Sequence, residues 1–204
     1  MASANHLLML FMAVEMASVP SYVMVGFLKG KRLSSEAALK YVVYGAGAAG
    51  VMLYGTSLVA GMLGTADINL ISIQLGELLS EESAGTAMAS AEVRTIVLGV
   101  MMILVGLAFK LSLVPFHFWC PDAYQGASVP FTAFLSVVSK AAGFGILIRF
   151  VWAVAGDGSY NMTLEGGKVI GVDWPLAMAI VAALTMTVGN LAALFQTNMK
   201  RLLA

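Results

Sequence analysis

The stretch YVVYGAGAAGVMLYGTSLVAGMLGTA, residues 41–66, contains no charged side chain and decides the class of fold. A second uncharged stretch covers residues 174–199. Each is longer than the roughly 20 residues that a helix needs to cross a bilayer. A membrane β-barrel would instead show segments of about ten residues with alternating polarity. Because backbone groups in lipid must bond within their own segment, both stretches are predicted to be membrane-spanning helices.

The composition of the whole chain agrees with a membrane protein. Of its 204 residues, 60% are hydrophobic and 11% are charged, whereas a typical soluble domain has about 25% charged residues. The 11 basic and 11 acidic residues cancel, so no net charge attracts nucleic acid. The single cysteine, Cys120, has no partner within the sequence. The composition therefore excludes a nucleic-acid-binding domain and a secreted domain held by disulfides.

The chain is predicted to be all-α, a single polytopic membrane domain over residues 1–204 with about five spans. The predicted spans cover about residues 6–28, 37–63, 95–119, 129–153 and 174–195. Ser34 or Ser35 is placed to cap the second span. Pro115 interrupts the third span, and residues 68–79 are expected to form a short helix at the membrane interface.

Two basic clusters predict the orientation of these spans. One cluster, at residues 29–32, follows the first span, and the other, at residues 200–201, follows the fifth. With five spans, both clusters lie on one side of the membrane, and the acidic connection 64–94 lies on the other. The positive-inside rule makes the basic side the cytoplasmic one, or the matrix or stromal side in an organelle.

The charged residues inside the spans are the candidates for chemistry. Glu15, Lys110 and Lys140 lie well inside their spans, and Lys40 lies near the inner end of the second span. A charge at mid-bilayer costs about 2.5–3.5 kcal/mol on insertion scales, so these groups should face a protein interior or a hydrated cavity. A buried amine releases its proton more readily than an exposed one, and a nearby carboxylate opposes that release. Such a row of groups can carry protons.

The break at Pro115 adds a second feature to the third span. Proline lacks a backbone N–H, and its ring clashes with the carbonyl four residues earlier, at Leu111. A broken span is tolerated in the membrane where it borders a cavity, and His117 is placed to relay a proton there. The alternatives are a kink that only shapes packing, structural ion pairs between helices, and a Lys40 side chain that extends to the interface.

Two apparent motifs do not predict a bound cofactor or metal. Gly45, Gly47 and Gly50 match the dinucleotide pattern GxGxxG, but they lie inside a membrane span with no preceding strand. We interpret them as small residues that allow close helix packing. Cys120 and His117 lack the further ligands that a metal site needs.

Several longer motifs carry a resemblance to a known family. They are FKLSLVPFHFWCPDAYQGASV (109–129), TAFLSVVSK (132–140), SEAALKY (35–41) and GNLAALFQTNMKRLLA (189–204). Together they resemble the antiporter-like membrane subunit N (mitochondrial subunit 2) of the proton-pumping NADH–quinone oxidoreductase, respiratory complex I. The pair Ser139–Lys140 favours subunit N over its paralogues, which tend to have a histidine-containing segment in that helix. The resemblance covers essentially the whole chain.

The resemblance implies a site and a fold. Carried over position by position, Glu15 matches the family's glutamate on the fifth helix and Lys40 the lysine on the sixth. Lys110 matches the lysine on the broken seventh helix, and Lys140 the central lysine on the eighth. It implies that Glu15 tunes Lys110, that Lys140 passes the proton onward, and that the helices form part of an inverted-repeat bundle. NADH, flavin mononucleotide, iron–sulfur clusters and quinone would belong to partner subunits of the membrane-bound complex.

The length of the chain departs from the family. This chain corresponds to about the fifth to ninth helices of a longer protein and is expected to be a fragment. The expected location is the bacterial plasma membrane or an organelle inner membrane, and the expected partners are the lipid bilayer and other membrane-arm subunits. Two alternatives remain, a subunit of a multi-subunit cation/proton antiporter and a non-pumping membrane scaffold.

Overall fold

The computed structural model describes residues 3–81, 90–155, 168–169 and 172–204, and within these ranges most of the chain is helical. The helices are α1 (Leu7–Val25), α2 (Arg32–Leu63), α3 (Ile68–Glu81), α4 (Ala91–Leu111), α5 (Trp119–Gly126), α6 (Val129–Phe134), α7 (Lys140–Ala155), α8 (Trp174–Leu194) and α9 (Met199–Leu202). One π-helical turn, Leu135–Ser139, joins α6 to α7. Two short strands, β1 (Lys168–Val169) and β2 (Val172–Asp173), pair antiparallel before α8.

Five helical segments in the described part of the chain are long and apolar enough to cross a membrane. They are Leu7–Val25, Arg32–Leu63, Ala91–Leu111, Val129–Val154 and Trp174–Leu194. This confirms the predicted all-α, multi-pass fold. Helix α3 covers the region for which a short helix was predicted, and it is too short to be counted with the five.

The predicted end of the third span is wrong. Helix α4 ends at Leu111, and Trp119 begins the separate helix α5. Ser112 closes α4 in a left-handed conformation, with φ of 58°, and its N–H bonds to the carbonyls of Ala108 and Phe109. The physical reason lies in Pro115, because a helix continued through it would lose a backbone hydrogen bond and place its ring against the carbonyl of Leu111.

The predicted start of the second span is also wrong. Helix α2 begins at Arg32, and neither Ser34 nor Ser35 caps it, because Lys31 is the N-cap residue. The Ser34 hydroxyl instead donates a hydrogen bond to the carbonyl of Val25, 2.7 Å away. The serine thus binds the end of α1 to the first turn of α2.

Helix α2 is the centre of the bundle and packs against α1, α4 and α5. A Cβ atom on Gly55 would lie 2.6 Å from the carbonyl oxygen of Gly99, so α2 and α4 are close because both residues are glycine. A Cβ on Gly45 would overlap the Tyr22 side chain of α1. The small-residue interpretation is therefore confirmed at Gly45 but not at Gly47 or Gly50, where a Cβ would contact no neighbouring helix within 4 Å.

The two ends of the bundle differ in chemistry. Arg201 of the second basic cluster and Leu33, which directly follows the first cluster, line one cavity. Both basic clusters therefore lie at one end, as the orientation argument predicts, and we call this end the basic face. At the other end, His6 forms a β-bridge with Asp67, and Arg149 donates a hydrogen bond to Asn5.

Candidate functional site

Lys110 lies in the last turn of α4, directly before the break, and its side chain is 1% exposed. Its ammonium donates a hydrogen bond to the Ser18 hydroxyl of α1 at 3.2 Å. Ser18 in turn donates to the carbonyl of Val14 at 2.8 Å. Because a helix C-terminus carries partial negative charge, the end of α4 also stabilises this cation. The break thus creates the environment that holds a buried ammonium.

Glu15 lies one helical turn before Ser18 on α1 and is partly buried. Its charge interacts with that of Lys110, yet no ion pair within 4 Å joins the two described side chains. The tuning role that the resemblance implies for Glu15 stays a prediction, because the carboxylate makes no direct contact with the ammonium among the described residues. Ser18, rather than the carboxylate, makes the hydrogen bond to the ammonium.

Lys140 is the first residue of α7 and directly follows the π-helical turn. Its ammonium lies 3.8 Å from the Cys120 sulfur and 5.9 Å from the centroid of the Tyr124 ring. One turn further on, a Cβ at Gly143 would lie 2.9 Å from a methyl carbon of Leu111. The absence of a side chain at Gly143 therefore lets the end of α4, with Lys110, approach α7.

A cavity of about 220 Å³ lies beside the break, and we call it the lysine cavity. Residues on its wall include Ser112, His117, Cys120, Lys140, Thr185 and Arg201. The His117 Nδ1 atom is buried and has no hydrogen-bond partner among the described residues. The cavity is large enough for several water molecules, and the few polar side chains on its mostly apolar wall give them partners. Lys110 does not line it, but its neighbours Leu111 and Ser112 do.

Lys40 lies apart from this group, in an ion cluster at the basic face. Its ammonium is 2.8 Å from a carboxylate oxygen of Glu36 and 2.8 Å from one of Asp122. The second oxygen of Asp122 lies 2.9 Å from the guanidinium of Arg201. We call these four residues the basic-face cluster. The structure therefore brings Lys110, Lys140 and His117 around the break, with Glu15 one helical turn from Ser18, and places Lys40 elsewhere.

Two residues of the site, Ser18 and Asp122, were not predicted from the sequence. Ser18 is an ordinary residue for a membrane helix, and nothing in the sequence indicates that it meets Lys110. Asp122 did leave a signal, because it is the only acidic residue between Glu92 and Asp157 while four cations lie in that interval. A single acid among several cations in a membrane segment predicts an ion pair.

The described residues contain no group of three or more His, Cys, Asp or Glu side chains that could hold a metal ion. The polar groups around the break are instead the ammonium groups of Lys110 and Lys140, an imidazole, a thiol and hydroxyls. Groups of this kind accept and release protons, which suits them to proton transfer. The arrangement fits a relay between the end of α4 and the start of α7.

Comparison with known proteins gives one family. Residues 4–204 match the family described as "NADH:quinone oxidoreductase/Mrp antiporter, TM". NADH-quinone oxidoreductase subunit N of Anaeromyxobacter sp. (strain Fw109-5) is 45% identical over 205 residues, which cover 100% of this chain and 39% of that protein. NADH-quinone oxidoreductase subunit N 2 of Chloroherpeton thalassium (strain ATCC 35110 / GB-78) is 44% identical, covering 100% of this chain and 37% of that protein.

A solved structure has the same fold. It is described as respiratory complex I from Thermus thermophilus with bound aureothin. One of its chains aligns with a TM-score of 0.72 and 35% sequence identity, covering 99% of this chain and 38% of its own length. The present chain thus spans less than two fifths of the length of these similar proteins.

Proposed function

Because the chain belongs to the NADH:quinone oxidoreductase/Mrp antiporter membrane family, we propose that it is a proton-translocating part of an NADH–quinone oxidoreductase. The relatives named subunit N, at 45% and 44% identity, support this choice within the family. The bacterial source of these relatives supports the bacterial plasma membrane as its location. Other membrane-arm subunits of respiratory complex I and the lipid bilayer are the proposed partners.

One observation carries the proposal, namely the buried Lys110 ammonium at the helix end beside the lysine cavity. Lys110 holds a proton while Ser18, the end of α4 and the charge of Glu15 stabilise its ammonium. When that stabilisation weakens, the proton passes to water in the lysine cavity and then to the Lys140 amine. His117 lies on the cavity wall, and its Nδ1 has no hydrogen-bond partner among the described residues. It relays the proton between the two lysines.

Uphill proton transfer needs a source of energy outside this site. Each charge moved across 100 mV involves about 2.3 kcal/mol. We assign that supply to partner subunits, in which NADH oxidation, flavin, iron–sulfur clusters and quinone reduction would reside. This chain contributes the proton path, and its own residues carry out no redox step in the proposal.

The test compares three lysine variants in source membranes. Lys110→Ala and Lys140→Ala remove the two buried amines, and Lys29→Ala removes an exposed cation on the basic face as a control. Native-gel electrophoresis stained for NADH dehydrogenase activity measures assembly, and proton uptake during quinone reduction measures pumping. We expect all three variants to assemble and only the two buried-lysine variants to lose pumping. Normal pumping by both of them contradicts the proposal.

A second outcome separates the two alternative functions. If the buried charges only hold helices together, Lys110→Ala and Lys140→Ala will weaken assembly while each assembled complex pumps normally. The family description also includes Mrp antiporters. Sodium-dependent proton transport in proteoliposomes without quinone will favour that function over the one proposed.

A further inference from the structure

Arg201 lies on the wall of two separate cavities. One is the lysine cavity, which holds Lys140 and Cys120. The other has a volume of about 110 Å³, lies at the basic face, and is lined by residues of the basic-face cluster together with Leu33 and Gln125. We call it the entrance cavity. Among the described residues, Arg201 is the only one on both walls, so it lies where the two cavities approach each other.

Asp122 and Gln125, both on α5, hold the Arg201 guanidinium in this place. One nitrogen is 2.9 Å from the Asp122 carboxylate and donates a hydrogen bond to the Gln125 side-chain oxygen at 2.8 Å. The Arg201 and Asp122 side chains are 34% and 24% exposed, so the ion pair is partly shielded from solvent. Lys40 contacts the other oxygen of the same carboxylate and is a second cation able to bind it.

We propose that the Asp122–Arg201 ion pair is a gate between the entrance cavity and the lysine cavity, on the route by which protons from the basic face reach Lys140. The inference rests on the proton path proposed above. A guanidinium stays charged in proteins, so in the closed position it repels a cation that arrives between the two cavities. When Asp122 binds Lys40 alone, Arg201 is released and the two cavities join.

Cys120 provides a direct probe of this gate. It is the single cysteine of the chain and lies on the wall of the lysine cavity. The experiment adds the small neutral reagent 2-hydroxyethyl methanethiosulfonate to sealed membrane vesicles of either orientation, containing the assembled complex. Mass spectrometry of the peptide that contains Cys120 then measures the labelling rate from each face.

We expect slow labelling of Cys120 in the unmodified protein from both faces. Asp122→Asn and Arg201→Ala should speed labelling from the basic face by about fivefold, the factor that matches loss of a partly shielded ion pair. The labelling rate of Arg201→Lys, which keeps the charge, should lie between the rates of those two variants and that of the unmodified protein. Labelling from the opposite face should not change.

Lys200→Ala is the matched control, because Lys200 is the adjacent cation. It donates a hydrogen bond to the carbonyl of Ala127 at 2.6 Å and lines neither cavity. We expect its labelling rate to equal that of the unmodified protein. Equal acceleration by Lys200→Ala and Arg201→Ala indicates general loosening of α9 and overturns the gate. Unchanged rates in every variant, or acceleration from the opposite face, overturn it as well.

A measurement on the unmodified protein covers the case in which a variant does not assemble. Salt screens a partly exposed ion pair, so raising the salt concentration should speed Cys120 labelling from the basic face. A rate that does not respond to salt contradicts the gate. Both readouts are independent of pumping, so a failure of the gate is distinguishable from a failure of the proposed proton path, which the Lys110→Ala and Lys140→Ala variants test.

Discussion

The Lys110 ammonium of α4 donates a hydrogen bond to the Ser18 hydroxyl of α1, 3.2 Å away. Glu15, on the same helix as Ser18, makes no direct contact with that ammonium and affects it only through its charge. A neutral hydroxyl holds the cation less tightly than a directly bonded carboxylate does, because a hydrogen bond between two ionised groups is the stronger one. The contact therefore stabilises a buried ammonium without fixing it in an ion pair. Under the proposed function, this is a favourable state, because Lys110 would have to release its proton.

Ser18→Ala should impair pumping without preventing assembly. The variant removes a hydrogen bond to a buried charged group, a change of about 1.5–3 kcal/mol against the charged form of Lys110. Ser18→Thr keeps a hydroxyl and should pump. Ser21→Ala is the control, because among the described residues the Ser21 hydroxyl bonds to the carbonyl of Ala17 in its own helix. The measurement is the number of protons pumped per quinone reduced. Equal ratios in Ser18→Ala and Ser21→Ala would refute the role of Ser18.

His117→Ala should assemble and pump more slowly. The His117 Nδ1 atom is buried without a partner among the described residues, so no structural hydrogen bond of that atom is lost. Phe118→Ala is the neighbouring control, since its side chain is 62% exposed. Pumping rates of the two variants in the same membranes are compared after native-gel quantification. If His117→Ala pumps at the unmodified rate, the relay passes through water and Lys140 alone.

Lys40→Ala should reduce pumping less than Lys140→Ala, because Lys40 binds Glu36 and Asp122 rather than lining the lysine cavity. Its side chain is 42% exposed, so its contribution to stability should be small. A double-mutant cycle with Asp122→Asn, read by thermal unfolding in detergent, should show non-additive effects because the two groups are in contact. Additive effects would show that the contact does not contribute.

Gly55→Ala should destabilise the bundle. The added Cβ would lie 2.6 Å from the backbone oxygen of Gly99, so α2 and α4 must separate, at a cost of about 1–3 kcal/mol. Gly47→Ala on the same helix meets no atom within 4 Å and is the matched control. In mild detergent, the melting temperature of Gly55→Ala should be lower than those of Gly47→Ala and the unmodified protein. The reverse order would be inconsistent with the close packing of these helices.

The five spans were predictable because hydropathy is a local property. Residues 41–66 form a helix wherever lipid surrounds them, since their backbone groups have no other partners. The break near Pro115 was predictable for the same local reason. The exact position of the break was not predictable. It depends on the left-handed turn at Ser112 and on the hydrogen bond from the Trp119 indole N–H to the Phe109 carbonyl, and both depend on how the chain folds back on itself.

The buried charges were predictable as a set, but their partners were not. Hydropathy identified Glu15, Lys110 and Lys140 as charges within apolar spans. It did not indicate that Ser18 would meet Lys110, 92 positions away along the chain, or that Asp122 would meet Lys40, 82 positions away. Side chains so distant in sequence are brought together only by helix packing.

The sequence by itself therefore determined the membrane fold, the orientation of its basic clusters and the residue types available for proton transfer. The tertiary structure alone decided which of those residues share a cavity and which share a carboxylate. The physical reason is the distance over which each effect acts, because hydropathy and proline sterics act within a few residues along the chain. Hydrogen bonds and ion pairs between helices depend on distances of about 3 Å that only the packed bundle sets.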